Sequence, residues 1–447
     1  MIQSVQITRS RLDTLSQMTQ RKLKIAISIF CFRPDTGGRQ AHAEQLSQHL
    51  QARGHDVVVV ARAATRVPRG TDYLFFNEPS SSLRVKGAPV RLLKFSRFWL
   101  PVLWFLNKCV VRPPLEGLAV NLYQFVSRKS ARSAFAGMDL IHHVDEASPL
   151  NGFAAAAAAK YWQIPFVVQP TCHPHHVGDS PLNLRLLAKA DRILAHTEYE
   201  ANYLRQKSFR CPIDVVGNGI EDRVDGKAER FRTRFRVAGP FILFIGRKDR
   251  QKGYLLLLDA FKILRRQRSN ISLACMGPAG ASLVCSESTA RQQEIEGLID
   301  LDFASEELKH DALAACTCLC VPSEAESFGL VYMEAGRYGK PVVGRKVAVL
   351  EELLHDGVAA VLVGVPDDTH NRAILSPEAL AGALLKLLAD PKECQRIGEN
   401  CRAVSEQFLW SHVVKRFEAS YYQAVEELNG IGLVNTRRSH ETTSRSN

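Results

Sequence analysis

The sequence predicts an α/β protein built from two doubly wound parallel-sheet domains that face a central cleft. Three observations predict it. Short apolar runs alternate with helical patterns along most of the chain. Strand–helix–strand units of this kind build parallel sheets. The series breaks at a basic stretch closing in Gly-Pro, "RFRTRFRVAGP" (230–240), and then begins afresh. The 447 residues also suffice for two or three domains, at about 150 residues each.

The elements follow in order. Residues 1–21 are polar and read as a flexible tail. "KLKIAISIFCF" (22–32) is a near-continuous apolar run, hence a buried strand. After the break "RPDTGGRQ", Leu46 and Leu50 mark a helix that stops at a glycine. "DVVVVARA" is the next strand, completing a β–loop–α–β unit. "DLIHHV" (139–144), "IPFVVQP" and "RILAHT" continue the strands, alanine-rich "NGFAAAAAAKYW" is a helix, and "PIDVVGNGI" ends the region in a turn. The first domain spans 22–216, with the boundary expected between residues 216 and 238. In the second domain, 217–409, "FILFIGR", "ISLACMGP", "ACTCLCVP", "KPVVGR" and "VAAVLVG" are strands. Cys316, Cys318 and Cys320 alternate there, which places them on one buried face of a strand. "YLLLLDAFKILRRQR", "AVLEELLHDG" and "PEALAGALLKLLADP" are helices. A last helix covers 410–428, and residues 429–447 read as a disordered tail.

Composition sets outer limits. With 46% apolar and 23% charged residues the chain is globular. The net charge of +12 resides in the first third: residues 1–130 hold 20 Lys/Arg against 7 Asp/Glu, the remainder 38 against 39. That third suits a polyanion or an anionic membrane, and no nucleic-acid motif accompanies it, so nucleic acid is not an expected partner. The 11 cysteines are scattered, and the polar start has no apolar leader. A reducing, cytoplasmic location follows. No apolar run reaches the roughly 20 residues that span a bilayer. Residues 90–132 interleave aromatics with eight Lys/Arg and a single acid, Glu116. They read either as a buried amphipathic helix pair or as a contact with an anionic membrane surface, and the bases tilt the reading to the membrane.

Chemistry concentrates in "VPSEAESFGLVYMEAG" (321–336). A strand ends, a loop follows, and a helix begins near Phe328, Gly329 and Leu330, with Ser323 or Ser327 as its cap. Unbonded amides and the positive dipole end make a helix start an anion site. Glu326 and Glu334 flank it. Carboxylates beside an anion make sense if the ligand also carries hydroxyls, which a carboxylate accepts in pairs. A diphosphate with a ribose at one end and a sugar at the other fits that pattern. "GRKDRQKG" (246–253) supplies phosphate-binding cations, Arg247 as a fork and Lys252 as a point charge. His142, His143, His173, His175 and His176 follow two predicted strands and offer an alternative, a metal-dependent hydrolase. A non-catalytic membrane or polyanion binder is the other alternative. A nucleotide-dependent dehydrogenase is disfavoured, because no G-x-G-x-x-G follows the first strand.

These motifs in order, "TGG" (36–38), "RGH" (53–55), "NGI" (218–220), "GRKDRQKG" and "ESFGLVYME", resemble the family 4 glycosyltransferases of the GT-B fold over roughly residues 22–428. The resemblance implies two Rossmann-like domains. It implies a retaining transfer of a sugar from a nucleoside-diphosphate donor, bound by the second domain, to a hydroxyl acceptor, bound by the first. The acceptor would be a glycan or a lipid-linked molecule of cell-envelope polysaccharide type, and the enzyme cytoplasmic or peripheral at the inner membrane face. No metal or other cofactor is expected. Carried over by position, Arg247 and Lys252 hold the diphosphate, Glu334 the ribose and Glu326 the transferred sugar. Ser327, Phe328, Gly329 and Leu330 belong to the donor site, Gly37 and Gly38 close it from the other domain, and His173 stands near the reacting centre. The family also returns its last helix to the first domain, which suits 410–428. The sequence departs from the family at Ala348–Val349, where a glycine pair is usual, at Ala360 and at Glu221.

Overall fold

A computed structural model of the chain describes residues 21–32, 38–63, 83–85, 88–109, 115–144, 149–174, 178–280, 295–302, 304–367 and 372–443. The first domain is built on β1 (Lys24–Cys31), β2 (Asp56–Ala63), β3 (Leu83–Val85), β4 (Ala88–Leu92), β5 (Leu140–Val144), β6 (Phe166–Gln169), β7 (Arg192–Ala195) and β8 (Ile213–Val215). They form one sheet in the order β3-β4-β2-β1-β5-β6-β7-β8, parallel except for β3 against β4. Both faces are covered, as a parallel sheet requires. Along β1 the side chains alternate: Ala26 and Phe30 enter one core, Ile25, Ile27 and Ile29 the other.

The second domain repeats the plan with β9 (Phe241–Ile245), β10 (Ser272–Met276), β11 (Leu298–Leu301), β12 (Cys318–Val321), β13 (Val342–Arg345) and β14 (Val361–Val363). Its order is β11-β10-β9-β12-β13-β14, all parallel. The order reverses between β9 and β12, where an open α/β sheet leaves its ligand crevice. A small antiparallel pair, β15 (Val365–Asp367) and β16 (Arg372–Ile374), lies beyond it.

The helices are α1 (Gly38–Ala52), α2 (Leu100–Cys109), α3 (Glu116–Ala134), α4 (Leu150–Trp162), α5 (Pro181–Leu187), α6 (Glu198–Arg205), α7 (Ala228–Phe235), α8 (Tyr254–Gln267), α9 (Glu306–Ala315), α10 (Leu330–Arg337), α11 (Ala348–Leu354), α12 (Pro377–Ala389), α13 (Pro391–Glu406) and α14 (Trp410–Thr443). Pro101 sits in the first turn of α2, where its missing N–H costs nothing. Side chains of Ser180, Thr197, Ser305, Ser376 and Asp390 cap α5, α6, α9, α12 and α13. The helices at the crevice differ. Both α8 and α10 start from a left-handed glycine, Gly253 and Gly329, with no side-chain cap.

Two expectations change. Cys316 ends α9 rather than joining the strand, so only Cys318 and Cys320 lie on β12; all three are buried. The basic stretch before the Gly-Pro belongs to the second domain as α7, with Phe231 in its core. The chain crosses between Val216 in the first-domain core and Ile220 in the second. The last helix also continues to Thr443, where a disordered tail was expected from 429. No proline interrupts residues 410–443, so nothing blocks propagation of the helix. Residues 1–20 of the expected N-terminal tail lie outside the described residues.

Helix α14 returns to the first domain. Val413, Val414, Phe417 and Tyr421 pack in the same core as Ile25, Ile27, Val57 and Val59. The "RGH" motif docks it: Arg53 Nε and His55 Nε2 reach Glu418 Oε1 at 2.5 and 3.0 Å. The other His55 nitrogen accepts the Leu23 amide at 3.2 Å, which fixes the tautomer that donates to Glu418. Glu418→Ala leaves His55 buried without its acceptor. A loss of about 1–3 kcal/mol is expected, read as a lower urea midpoint, with Glu418→Gln falling between the variant and wild type.

Candidate active site

Two loops meet at the crevice. One links β9 to α8 (residues 246–253), the other β12 to α10 (322–329). Their backbones are stitched: the Glu324 amide donates to Gln251 O at 2.8 Å. Gly253, at φ +71°, lies so close to Pro322 that a Cβ would stand 2.3 Å from its carbonyl oxygen. Within the first loop Asp249 takes the Lys252 amide at 2.8 Å and the Arg247 guanidinium. Arg247 also donates to Gln251 Oε1 at 3.0 Å and stays half exposed.

Lys252 and Glu326 face each other across the two loops, Nζ to Oε1 at 2.7 Å, with Glu326 buried. Glu334, on α10, is met by a lysine that sequence reasoning missed: Lys309 Nζ lies 3.0 Å from Glu334 and 2.9 Å from Glu306. Burial works against the Lys309 charge, but the two carboxylates outweigh it and raise its pKa. So each carboxylate at this anion site has its own cation. The expected serine cap is absent: neither Ser323 nor Ser327 caps α10, because Gly329 at φ +87° takes the N-cap position. Tyr332 packs against that glycine, 2.6 Å from where a Cβ would stand, and bonds Val321 O at 2.5 Å. Phe328 is buried beneath, and Ser327 and Leu330 are half-buried around the helix start.

The first domain supplies the opposite wall. Half-buried His173 follows β6, and buried His196 follows β7. The His196 ring lies 6.1 Å from the Phe328 ring, a contact between the domains. Glu200 accepts the amides of Cys172 and His196 at 2.8 and 2.7 Å. His42 joins a buried polar network: its ring nitrogens stand 2.7 Å from Asn218 and 2.8 Å from Gln169, and Gln169 is 3.3 Å from His196. Asn218 of "NGI" thus serves the first domain, while Gly219 fits under the Trp410 ring. A second interdomain contact is a carboxylate clasp. Glu352 of α11 accepts the amides of Glu198 and Tyr199, the first turn of α6, at 2.8 and 2.6 Å. Gly38 opens α1 and is exposed; Gly37 lies outside the described residues.

The five-histidine alternative does not assemble. His142 and His143 lie within β5 rather than after it, and both are buried. Successive strand residues face opposite sides. His142 bonds the Tyr421 hydroxyl of α14 at 2.8 Å, and His143 lies 3.2 Å from Ser28 Oγ. His175 and His176 lie outside the described residues. Among the described residues no group of three or more His, Cys, Asp or Glu side chains is placed to hold a metal ion.

Two uncapped glycine-started helices and the cations Arg247 and Lys252 thus stand together at the switch point of the second sheet. "Glycosyltransferase Family 4" matches residues 36–224 and "Glycosyl transferases group 1" residues 225–404, one domain each. The chain belongs to the family 4 glycosyltransferases. This glycosyltransferase is 28% identical to the D-inositol 3-phosphate glycosyltransferase of Frankia alni over 425 residues, 88% of this chain and 95% of that one. The Gordonia bronchialis protein of the same name is also 28% identical, over 88% and 85% of the two chains. Solved structures share the GT-B fold. Sucrose-phosphate synthase from Thermosynechococcus elongatus aligns with a TM-score of 0.66 at 19% identity, over 90% of this chain and 99% of that one. HepE of Anabaena, solved with UDP-glucose, gives 0.64 at 19%, over 91% and 100%.

Sequence reasoning missed Lys309, His196, Glu200 and Glu352. Only Glu200 carried a local signal, the T-x-x-E of a capping box. The buried imidazoles carry a pH dependence. Burial lowers the His42 pKa from 6.5 to about 4 and that of His196 to about 3. Both are neutral when folded but take up protons below pH 6.5 when unfolded. Their contribution is therefore complete above pH 6.5 and is lost as pH falls toward 4. His42→Gln is expected to flatten the fall in unfolding free energy between pH 6.5 and 5 by up to about 1.4 kcal/mol per pH unit, measured by urea titration at each pH.

Proposed function

We propose that the enzyme moves a sugar from a nucleoside-diphosphate donor to a hydroxyl of a glycan or lipid-linked acceptor, with retention of anomeric configuration. The observation that carries the reading is the start of α10. Its amides have no side-chain cap, and Lys252 and Arg247 stand on the adjoining loop. Such a helix start takes a diphosphate, and cations there stabilise the charge that grows on it as the sugar leaves. Arg247, Lys252 and the amides around Phe328–Leu330 would carry that charge, so the proposal adds no metal ion. Glu334 would accept the ribose hydroxyls and Glu326 those of the sugar. His173, with Gly37 and Gly38, would cover the sugar from the first domain and exclude water. The UDP ligand of the HepE structure makes UDP-sugars the first donors to try.

The acceptor side is proposed to meet an anionic membrane. No helix among the described residues is long and apolar enough to cross one. The support is an exposed apolar face. Helix α2 buries Leu103 and Leu106 yet turns Trp104 and Phe105 outward, and Phe98, in the turn before it, is 78% exposed. Trp99 joins Phe98 and Phe125 edge-on at 5.4 and 5.9 Å. Arg128 lies over Phe125, and Arg132 lies 3.7 Å over Tyr161. Aromatics interleaved with bases suit the headgroup region of a bilayer. Strand order puts the start of α3 at the same end of the domain as the cleft, since β5 begins at the far end.

Two outcomes check these proposals. Lys252→Ala is expected to lower turnover of the accepted UDP-sugar about 100-fold in the folded variant, with a lower melting temperature because buried Glu326 loses its cation; normal turnover would remove Lys252 from the mechanism. Vesicles holding anionic phosphatidylglycerol are expected to sediment the protein where phosphatidylcholine vesicles do not. A Phe98→Ser/Trp104→Ser variant should stay in the supernatant, and equal binding by both proteins would overturn the membrane face.

A further inference from the structure

We infer that Glu200 is a positioning residue for the cleft histidines, holding the loops that carry His173 and His196 with one buried carboxylate. The inference rests on the transferase reading, because it gives those loops a role in turnover. Glu200 is the third residue of α6 beyond the Thr197 cap. From that place a glutamate usually reaches back to the amide of the cap residue itself. Glu200 instead bonds the His196 amide with Oε2 and, across the strand ends, the Cys172 amide with Oε1. Cys172 precedes His173. The loops follow β6 and β7, neighbouring strands whose C-terminal ends open on the cleft.

The Cys172 loop needs holding. Thr171 adopts φ +46°, an uncommon region for a β-branched residue. Gly178, at φ +89°, closes behind it, and a Cβ there would stand 3.2 Å from Cys172 Cα. Conformations of this kind persist when their surroundings over-determine them. Glu200 is fully buried, and no salt bridge to it is found among the described residues. An ionised carboxylate without a cation is costly to bury, and two amides plus the positive end of α6 offset only part of that cost. A neutral acceptor would serve the fold alone at lower cost.

The same α6 turn receives Glu352 from the donor domain. The helix therefore joins a contact that exists only when the domains are together to the loops that carry the histidines. Burial raises the Glu200 pKa from 4.5 to about 7, against the pull of the His196 and Cys172 amides. When protonated, the carboxyl gives up one of its two acceptor positions, and one loop loses its hold. The groups facing Glu200 do not mimic this titration. His196 and His42 stay neutral through this range. Burial raises the hydroxyls of Tyr199 and Tyr203, and Asp179 accepts the Tyr203 hydroxyl at 2.8 Å. His173, in contact with this group electrostatically through His196, is separated from it by the variant below.

The test uses the full chain, wild type and Glu200→Gln, with UDP-glucose as probe and UDP release as readout, alongside NMR of the Cys172 and His196 amide protons. In wild type both amide protons should titrate together with a midpoint near pH 7, and kcat should fall below it. In Glu200→Gln the amide shifts should be flat, the acid limb of kcat absent, and kcat at pH 8 about 10- to 100-fold lower, with KM for UDP-glucose within about two-fold. Glu200→Asp, which reaches one amide, should keep part of the rate. Wild-type amides that do not move between pH 5.5 and 8.5, or a Glu200→Gln variant with wild-type kcat and the same acid limb, would overturn the inference. If Glu200→Gln fails to fold, the wild-type amide titration decides alone. Titrating amides with no UDP release from UDP-glucose or a panel of other UDP-sugars would sink the donor reading instead, and the two failures are thereby distinct.

Discussion

The cleft depends on the chain crossing between domains twice, and on those crossings being bonded to each other. The outgoing segment runs from Val216 to Ile220, and the returning one from Phe408 to Trp410. The Ile220 amide donates to Phe408 O at 2.9 Å, and the Trp410 amide to Ile220 O at 3.1 Å. Trp410 then lies over Gly219, stacks on His49 at 5.2 Å and donates to Gln45 at 3.1 Å. A side chain at residue 219 would displace that ring. Any rotation of one domain on the other passes through this pair of strands. With one end of the cleft fixed in this way, the strand C-terminal ends of both sheets are held toward a shared space. That is where a parallel sheet places its ligand.

The electrostatics of that space resolve an apparent contradiction. Two carboxylates beside a diphosphate site should weaken it. In the free protein each is already matched, Glu326 by Lys252 and Glu334 by Lys309. The pairs offset the carboxylate charges and hold the long lysine chains in place. Lys252 is the shared element. It bonds a carboxylate proposed to read the sugar while sitting next to the helix start proposed to take the phosphates. A donor that brings both groups would let it interact with each, whereas a bare anion would have to compete with Glu326.

Much of this was legible in the sequence, for a physical reason. Buried parallel strands are continuous apolar runs, and helices between them carry a 3.6-residue period, so β1, β2, β9 and α8 stand out. Arg247, Lys252 and Glu326 sit on loops that directly follow such strands, and parallel sheets send those loops to one edge. What stayed hidden depends on partners distant in the chain. Lys309 meets Glu334 from another helix, and Glu352 meets α6 from the other domain. His142 and His143 looked like strand-end residues because polar groups are unusual inside a buried run. Tyr421, 279 residues away, makes His142 acceptable there. The cap of α10 failed differently: serine is the better capping residue, but the chain must turn left-handed at Gly329 to clear Tyr332. The short pairs β3–β4 and β15–β16 have too few residues to show a period.

Helix α6 ties these observations together. Its first turn has three unbonded amides to satisfy, and they are satisfied from different places. Thr197 takes the amide of Glu200, from within the helix. Glu352 takes those of Glu198 and Tyr199, from the donor domain. A helix start that relies on the other domain is less well satisfied when the domains part, and water must then replace a carboxylate that is better matched to the dipole. Glu352 lies on α11, whose first two residues are Ala348 and Val349. Those residues stiffen the first turn of α11, since both are confined to ordinary backbone regions. The donor side of the clasp is thus presented on a firmer element than glycine would allow. The acceptor side is a single helix turn whose own carboxylate reaches the histidine loops. The interdomain clasp and the loops that carry His173 and His196 therefore share one structural element.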